Sequence, residues 1–203
     1  MFGYKKKQID VEEEYKRLRR NIDYVQSDKP MHVIHVTSTF PKEGRTTVAF
    51  NLTKKYAAKK SETLFIDCSF DSSLCFRLEV EAKPGSLKES ISKYTFDSGE
   101  TMDILPLYPH PLKNDVLDSE EFRSFIKEAR TSYEKIIMDG QCVSTNSDAF
   151  ALANIADGTV FVINSKDTNM NQAKMAVAEL KRNGANLIGL VLTKNDYCLN
   201  GRY

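Results

Sequence analysis

Apolar positions along the chain follow two rhythms that take turns, and their alternation predicts an α/β fold. Short, mostly apolar runs come at residues 32–36, 63–66, 102–105, 135–138, 159–163 and 187–192. Runs of this length without in/out alternation mark strands buried on both faces. Between them lie stretches with helical spacing. Tyr15, Leu18, Ile22 and Val25 recur across a heavily charged segment at 11–24, which Ser27-Asp28-Lys29-Pro30 brings to a stop. A second helix is expected over 46–59. Ser119 is placed to cap another, with Glu120 and Glu121 in its first turn and Phe122, Phe125, Ile126 and Ala129 on one face. Further helices are expected over 147–156 and 171–182, the last closed by Asn183-Gly184. Residues 68–98 read as irregular, with a turn at Pro84-Gly85 and a short helix over 86–93. The pattern as a whole predicts a mostly parallel sheet with helices on both faces, a three-layer sandwich over 31–203, preceded by an N-terminal helical arm over 1–30.

Composition narrows the partners more than the fold. With 203 residues, one domain can bury a full core. The 29 basic and 28 acidic side chains leave a net charge of +1, so neither nucleic acid nor an anionic membrane is expected as the main partner. The opening MFGYKKKQID lacks the apolar core of a signal peptide, and no apolar run nears the ~20 residues of a membrane helix. A cytoplasmic protein is therefore expected, with membrane contact only through a partner. Cys68, Cys75, Cys142 and Cys198 show no metal-site spacing and read as reduced thiols. His32 and His35, beside a core strand, read as structural.

In a parallel α/β sheet, ligands bind beyond the carboxyl ends of the strands. Three segments fall there. The first, Ser38 to Thr47, joins a strand to a helix through a polar loop, the setting of a phosphate loop. Backbone N–H groups and the helix start offer an anion hole, and a threonine hydroxyl can reach Mg²⁺. Gly44 and Thr46 suit that motif, but Arg45 stands where lysine is usual. The second and third segments place Asp67 and Asp139 directly after apolar strands, where carboxylates can hold hydrated Mg²⁺ or simply start a turn.

Taken in order, these segments resemble the bacterial tyrosine kinase (BY-kinase) family of capsule and exopolysaccharide systems, P-loop proteins of the MinD/ParA-like superfamily. Glu13 to Ile22 is similar to the family's E-x-x-R-x-x-R helix with its following Asn-Ile. Ser38, Pro41, Glu43, Gly44 and Thr47 match its phosphate loop, and Leu64 to Ser69 resembles its Walker A′ strand. Tyr133 to Asp139 resembles its Walker B strand, and Ala156-Asp157-Gly158 and Leu190-Val191-Leu192-Thr193 complete the likeness. The resemblance implies a P-loop NTPase-like fold, ATP/ADP and Mg²⁺ as ligands, and autophosphorylation on tyrosines near the C-terminus, here Tyr197 or Tyr203. By position, Lys42, Glu43, Gly44, Arg45, Thr46 and Thr47 would hold the nucleotide. Thr46, Asp67 and Asp139 would hold the metal, with Asp67 also as base and Arg45 in the lysine's catalytic seat. Glu13, Lys16 and Arg19 would make the contacts of a homo-oligomer. The implied partner is a membrane-spanning polysaccharide co-polymerase that activates the kinase and recruits it to the inner face of the membrane.

Departures from the family pattern gather on catalysis. A planar guanidinium at Arg45 replaces a compact ammonium. Lys42 replaces a loop glycine, Ser69 replaces the second aspartate of Walker A′, and Gly140-Gln141-Cys142 replaces the family's T-P-P. These substitutions leave two further functions open. One is a regulatory pseudokinase that keeps the fold and the partner but transfers no phosphate. The other is a MinD/ParA-like ATPase, against which stands Phe40 in the place of that group's signature lysine.

Overall fold

The computed structural model describes residues 10–25, 30–69, 73–83, 85–107, 113–145 and 147–194. In chain order the elements are α1 (Val11–Val25), β1 (Val33–Ser38), α2 (Arg45–Ala57), β2 (Thr63–Asp67), α3 (Ser73–Arg77), β3 (Ser92–Thr95) and β4 (Thr101–Pro106). A 3-10 turn, Lys113–Asp118, leads into α4 (Glu120–Ser132), followed by β5 (Lys135–Asp139), α5 (Asp148–Ile155), β6 (Gly158–Asn164), α6 (Met170–Arg182) and β7 (Leu187–Thr193).

The seven strands form one sheet in the order β3-β4-β2-β5-β1-β6-β7. Every neighbouring pair is parallel except β3 with β4. Alternate side chains of the central strands go to opposite faces, and both faces are dry. Ile34, Val36, Phe65, Ile137 and Val160 pack with Val48, Leu52 and Tyr56 of α2 and Ile22 of α1. Val33, Leu64, Ile66, Ile136 and Met138 pack with Phe122, Phe125 and Ile126 of α4 and Leu152 of α5. Phe161 and Ile163 pack under Ala173, Ala176 and Leu180 of α6. This double cover explains the mostly apolar runs in the sequence.

The capping signal at Ser119 behaves as expected, its Oγ accepting the N–H of Phe122 at 3.1 Å. Asn169, which the sequence reading did not single out, caps α6 by accepting from Asn171 and Gln172. The helix expected over 86–93 is absent. Residues 86–90 form a turn and 92–95 a strand, β3, that runs antiparallel to β4 across a turn with Gly99 at φ 92°. Tyr94 of that strand joins an edge-to-face aromatic cluster with Phe50 and Phe96, which outweighs the local helical signal.

At the amino edge of the sheet, Asp157 ties two strands to a helix. One carboxylate oxygen accepts the N–H groups of His32 and Val33, each at 2.8 Å, and both oxygens meet Arg130 Nη1 at 2.8 and 2.9 Å. Burial would raise the pKa of this carboxyl, but the Arg130 guanidinium and the two amides outweigh burial and hold it below the ordinary value.

Candidate functional site

The loop after β1 enters α2 through Gly44, which takes the N-cap at φ 96° with no side-chain cap. The free amides of the first helical turn therefore point out of the helix end, where an anion is favoured. A left-handed cap suits glycine, and a Cβ there would also lie 3.2 Å from Thr193 Cγ2. Lys42, which stands in the place of a loop glycine, keeps the left-handed backbone at φ 66° with its side chain exposed. Thr46 is partly exposed in the first turn of α2, and Thr47 is exposed beside it.

Glu43 turns into the loop. It is 4% exposed, and its Oε2 accepts the N–H groups of Thr39 at 2.7 Å and Phe40 at 3.0 Å. Oε1 accepts from the Thr168 hydroxyl, and the Glu43 carbonyl accepts from Thr193 Oγ1 at 2.6 Å. Its side chain thus holds the loop itself, and what it can offer a phosphate is its backbone N–H.

Parallel pairing of β2 with β5 puts Asp67 opposite Asp139 in register. Adjacent strands are ~4.8 Å apart, so two buried carboxylates stand side by side at the carboxyl edge. Arg45 reaches back from α2, its Nε 3.6 Å from Asp139 Oδ1. Asp67 is engaged by its own loop: Oδ1 accepts from Ser69 N at 3.0 Å and Ser69 Oγ at 2.5 Å, and Oδ2 accepts from Cys75 Sγ at 3.1 Å. Burial, followed by the Asp67 charge, pushes the Cys75 thiol well above its usual pKa and keeps it a donor. Two carboxylates and a threonine hydroxyl are hard oxygen donors, the set that Mg²⁺ takes alongside phosphate oxygens and water.

The segment after Asp139 is bound to its neighbours throughout. Gln141 Nε2 donates to the Cys68 carbonyl at 3.0 Å, and Thr37 Oγ1 donates to the Gln141 carbonyl at 2.6 Å. Val143 and Ser144 donate their N–H groups to Ser38 and Thr39. Under Gly140 lies His35, wholly buried in β1, where a Cβ on residue 140 would collide with its ring. Burial, aided by the Arg45 charge, lowers the His35 pKa to about 3.

Glu13, Lys16 and Arg19 lie on α1. Glu13 and Lys16 pair with each other at 3.4 Å on the outer face, about half exposed. Arg19 is folded inward and pairs with Asp23 at 2.7 Å, and Asp23 also accepts from Tyr56 of α2 and from Lys59 in the turn that follows it. Tyr197 and Tyr203 lie outside the described residues. Sequence reasoning did not single out Cys75, Thr168 or Thr193 as members of this site. Thr193 carried a signal only as the end of the Leu190-Val191-Leu192-Thr193 match. Its approach to Glu43 spans 150 positions and that of Thr168 spans 125, and both show only in space.

No protein-family profile matches the chain. Curated relatives do. Tyrosine-protein kinase YwqD of Bacillus subtilis is 27% identical over 94% of this chain and 84% of its own length. Putative tyrosine-protein kinase CapB of Staphylococcus aureus is 23% identical over 100% of this chain and 92% of its own length. Succinoglycan biosynthesis transport protein ExoP of Rhizobium meliloti is 23% identical over 94% of this chain, which spans 26% of that longer protein. Among solved structures, the VpsO kinase domain superposes with a TM-score of 0.75 at 26% identity, over 91% of this chain and 96% of that one. The chimerical protein CapA2B2 gives 0.79 at 24% identity, over 91% and 85%. The MinD cell division protein of Aquifex aeolicus gives 0.60 at 18%, over 79% and 68%, a likeness of fold.

Proposed function

We propose that this chain, a homologue of the bacterial tyrosine kinases of capsule and exopolysaccharide systems, is an ATP- and Mg²⁺-dependent protein-tyrosine autokinase controlling polysaccharide polymerisation and export. One observation carries the reading. A glycine-capped helix start and two in-register aspartates converge at the carboxyl edge of a parallel sheet. The backbone N–H groups from Lys42 to Thr46 receive the phosphates. Thr46, Asp67 and Asp139 would hold Mg²⁺, which would neutralise charge on the transferring phosphoryl group. The phenol oxygen of Tyr197 or Tyr203 attacks the γ-phosphorus. A new O–P bond forms as the bond to the bridging oxygen of ADP breaks, and the phenol proton passes to Asp67.

Arg45 must swing away from Asp139 to meet the phosphates, and Asp67 must exchange the Ser69 and Cys75 donors for the metal's surroundings. Both rearrangements slow transfer. They also favour a second reading, a regulatory module that keeps the fold and the partner but transfers no phosphate.

In either reading the partner is the cytoplasmic end of a membrane-spanning polysaccharide co-polymerase, in keeping with the likeness to ExoP and CapA2B2. No helix among the described residues is long and apolar enough to cross a membrane, and recruitment to the inner face through that partner is part of the same proposal. Glu13, Lys16 and Arg19 form subunit contacts of a homo-oligomer, and Arg19 leaves Asp23 to do so.

The test is incubation of the purified protein with labelled ATP and Mg²⁺, with and without the cytoplasmic tail of the partner, followed by mapping of phosphotyrosine by mass spectrometry. Label on Tyr197 or Tyr203 supports the kinase. Nucleotide bound without transfer leaves the regulatory module, and no bound nucleotide overturns both.

A further inference from the structure

A carboxylate buried in a loop shaped to receive phosphate is a conflict of charge, and Glu43 is such a group. Its environment resolves the conflict. Oε2 takes two amides of the loop, from Thr39 and Phe40, and Oε1 takes the Thr168 hydroxyl from the turn after β6. The carbonyl of the same residue takes the Thr193 hydroxyl from the end of β7, at 2.6 Å. The Thr193 methyl also lies against Gly44, at the one point where the loop adopts its left-handed helix cap. Further along, the loop is held at its start by Ser144, whose N–H donates to the Thr39 carbonyl at 3.1 Å.

We propose that Thr168 and Thr193 are positioning residues which, acting through Glu43, hold the phosphate loop in its ligand-ready shape before any ligand arrives. Glu43 serves as an internal anion. It satisfies the Thr39 and Phe40 amides from within, so that those from Lys42 to Thr46 remain for a phosphate. Removing the Thr168 hydroxyl leaves Oε1 buried without that donor, and the carboxylate then gains by turning toward water, releasing both amides. Removing the Thr193 hydroxyl frees the peptide plane between Glu43 and Gly44, on which the helix cap depends. Valine matches threonine in shape and puts a methyl in place of the hydroxyl. It also gives up the Asn164 N–H bond to Thr168 at 3.1 Å and the longer Thr193 bond to the Ile163 carbonyl at 3.4 Å, so the serine variants, which keep the hydroxyl, are the controls.

The consequence for affinity rests on the nucleotide-binding reading, whereas the loop geometry does not, and two measurements keep them apart. Amide hydrogen exchange in the ligand-free protein reads the loop directly. Thr168→Val is expected to speed exchange at Thr39 and Phe40 about tenfold or more in a chain that still unfolds in one cooperative transition, and Thr168→Ser to restore the slow rate. Thr193→Val is expected to do the same at Val48, whose N–H donates to the Gly44 carbonyl of the helix cap at 2.9 Å, with Thr193→Ser restoring it. Exchange at wild-type rates in both valine variants overturns the proposal. Calorimetry with Mg·ADP then reads the consequence. Dissociation constants raised about tenfold in the valine variants, and returned to within about twofold by the serine variants, support it. Wild-type affinity in variants with a loosened loop overturns its link to binding. Absence of binding by the wild-type protein overturns the nucleotide reading and leaves the exchange result to decide the geometry.

Discussion

The imidazole of His35 fills the space that a Cβ on Gly140 would require, so the ring in β1 and the missing side chain after β5 are two halves of one packing solution. What looks in the sequence like a loose departure from the family's T-P-P is coupled to a histidine 105 positions earlier. Gly140→Thr alone is expected to cost about 2–3 kcal/mol by overpacking. Adding His35→Ala, which vacates the site, is expected to recover at least ~1 kcal/mol of the summed losses. Urea denaturation of the two single variants and the double variant measures this, and simple additivity would sink the coupling.

The same histidine predicts a pH dependence. Its folded pKa of about 3 lies far below the ordinary value of 6.5, so between those limits the unfolded chain binds a proton that the folded chain refuses. Stability is fully present above pH 6.5 and is lost as pH falls toward 3. Between pH 7 and 5 the loss from this group is expected to be about 2 kcal/mol. Urea midpoints at the two pH values check it, and a His35→Leu variant is expected to lose correspondingly less over the same interval.

Asp157 gives a prediction about the opposite edge of the sheet. Replacing it with asparagine removes the charge that Arg130 and two backbone amides share. Loss of these charge-assisted bonds is expected to cost about 1.5–3 kcal/mol. Because Asp157 meets the amino ends of β1 and β6, nucleotide affinity of the folded variant is expected to stay at the wild-type value. Thermal melting and calorimetry on one preparation test both halves.

Arg45 and Ser69 are the substitutions that bear most directly on transfer. The Arg45 guanidinium is drawn to Asp139, and the Ser69 hydroxyl is spent on Asp67. Arg45→Lys with Ser69→Asp is expected to raise tyrosine phosphorylation at least about tenfold, which corresponds to ~1.4 kcal/mol off the barrier. An autophosphorylation time course measures it, and an unchanged rate would mean that the defect lies elsewhere.

Much of this was legible in the sequence, for reasons that particular residues make plain. β1, β2 and β5 were visible because both of their faces are dry, and Asp67 and Asp139 because each ends such a run. Ser119 announced a helix start through local chemistry that needs no partner. β3 was not visible, because Ser92, Lys93, Tyr94 and Thr95 form an edge strand whose pattern is mostly polar. Its place comes from aromatic contacts with Phe50. The inward turn of Glu43 could not be read either, because Thr168 and Thr193 reach it across the fold. Nor could the direction of Arg45, since sequence fixes the charge of a side chain and leaves its aim to its neighbours.

The tie at Asp157 has a consequence for how such a protein can fail. Its clamp on β1, β6 and α4 lies at one pole of the sheet, and the phosphate loop with its aspartates lies at the other. Folding and chemistry are thereby anchored at separate ends. A chain of this design can change the residues around its phosphate loop and still keep the packing of the rest of its sheet.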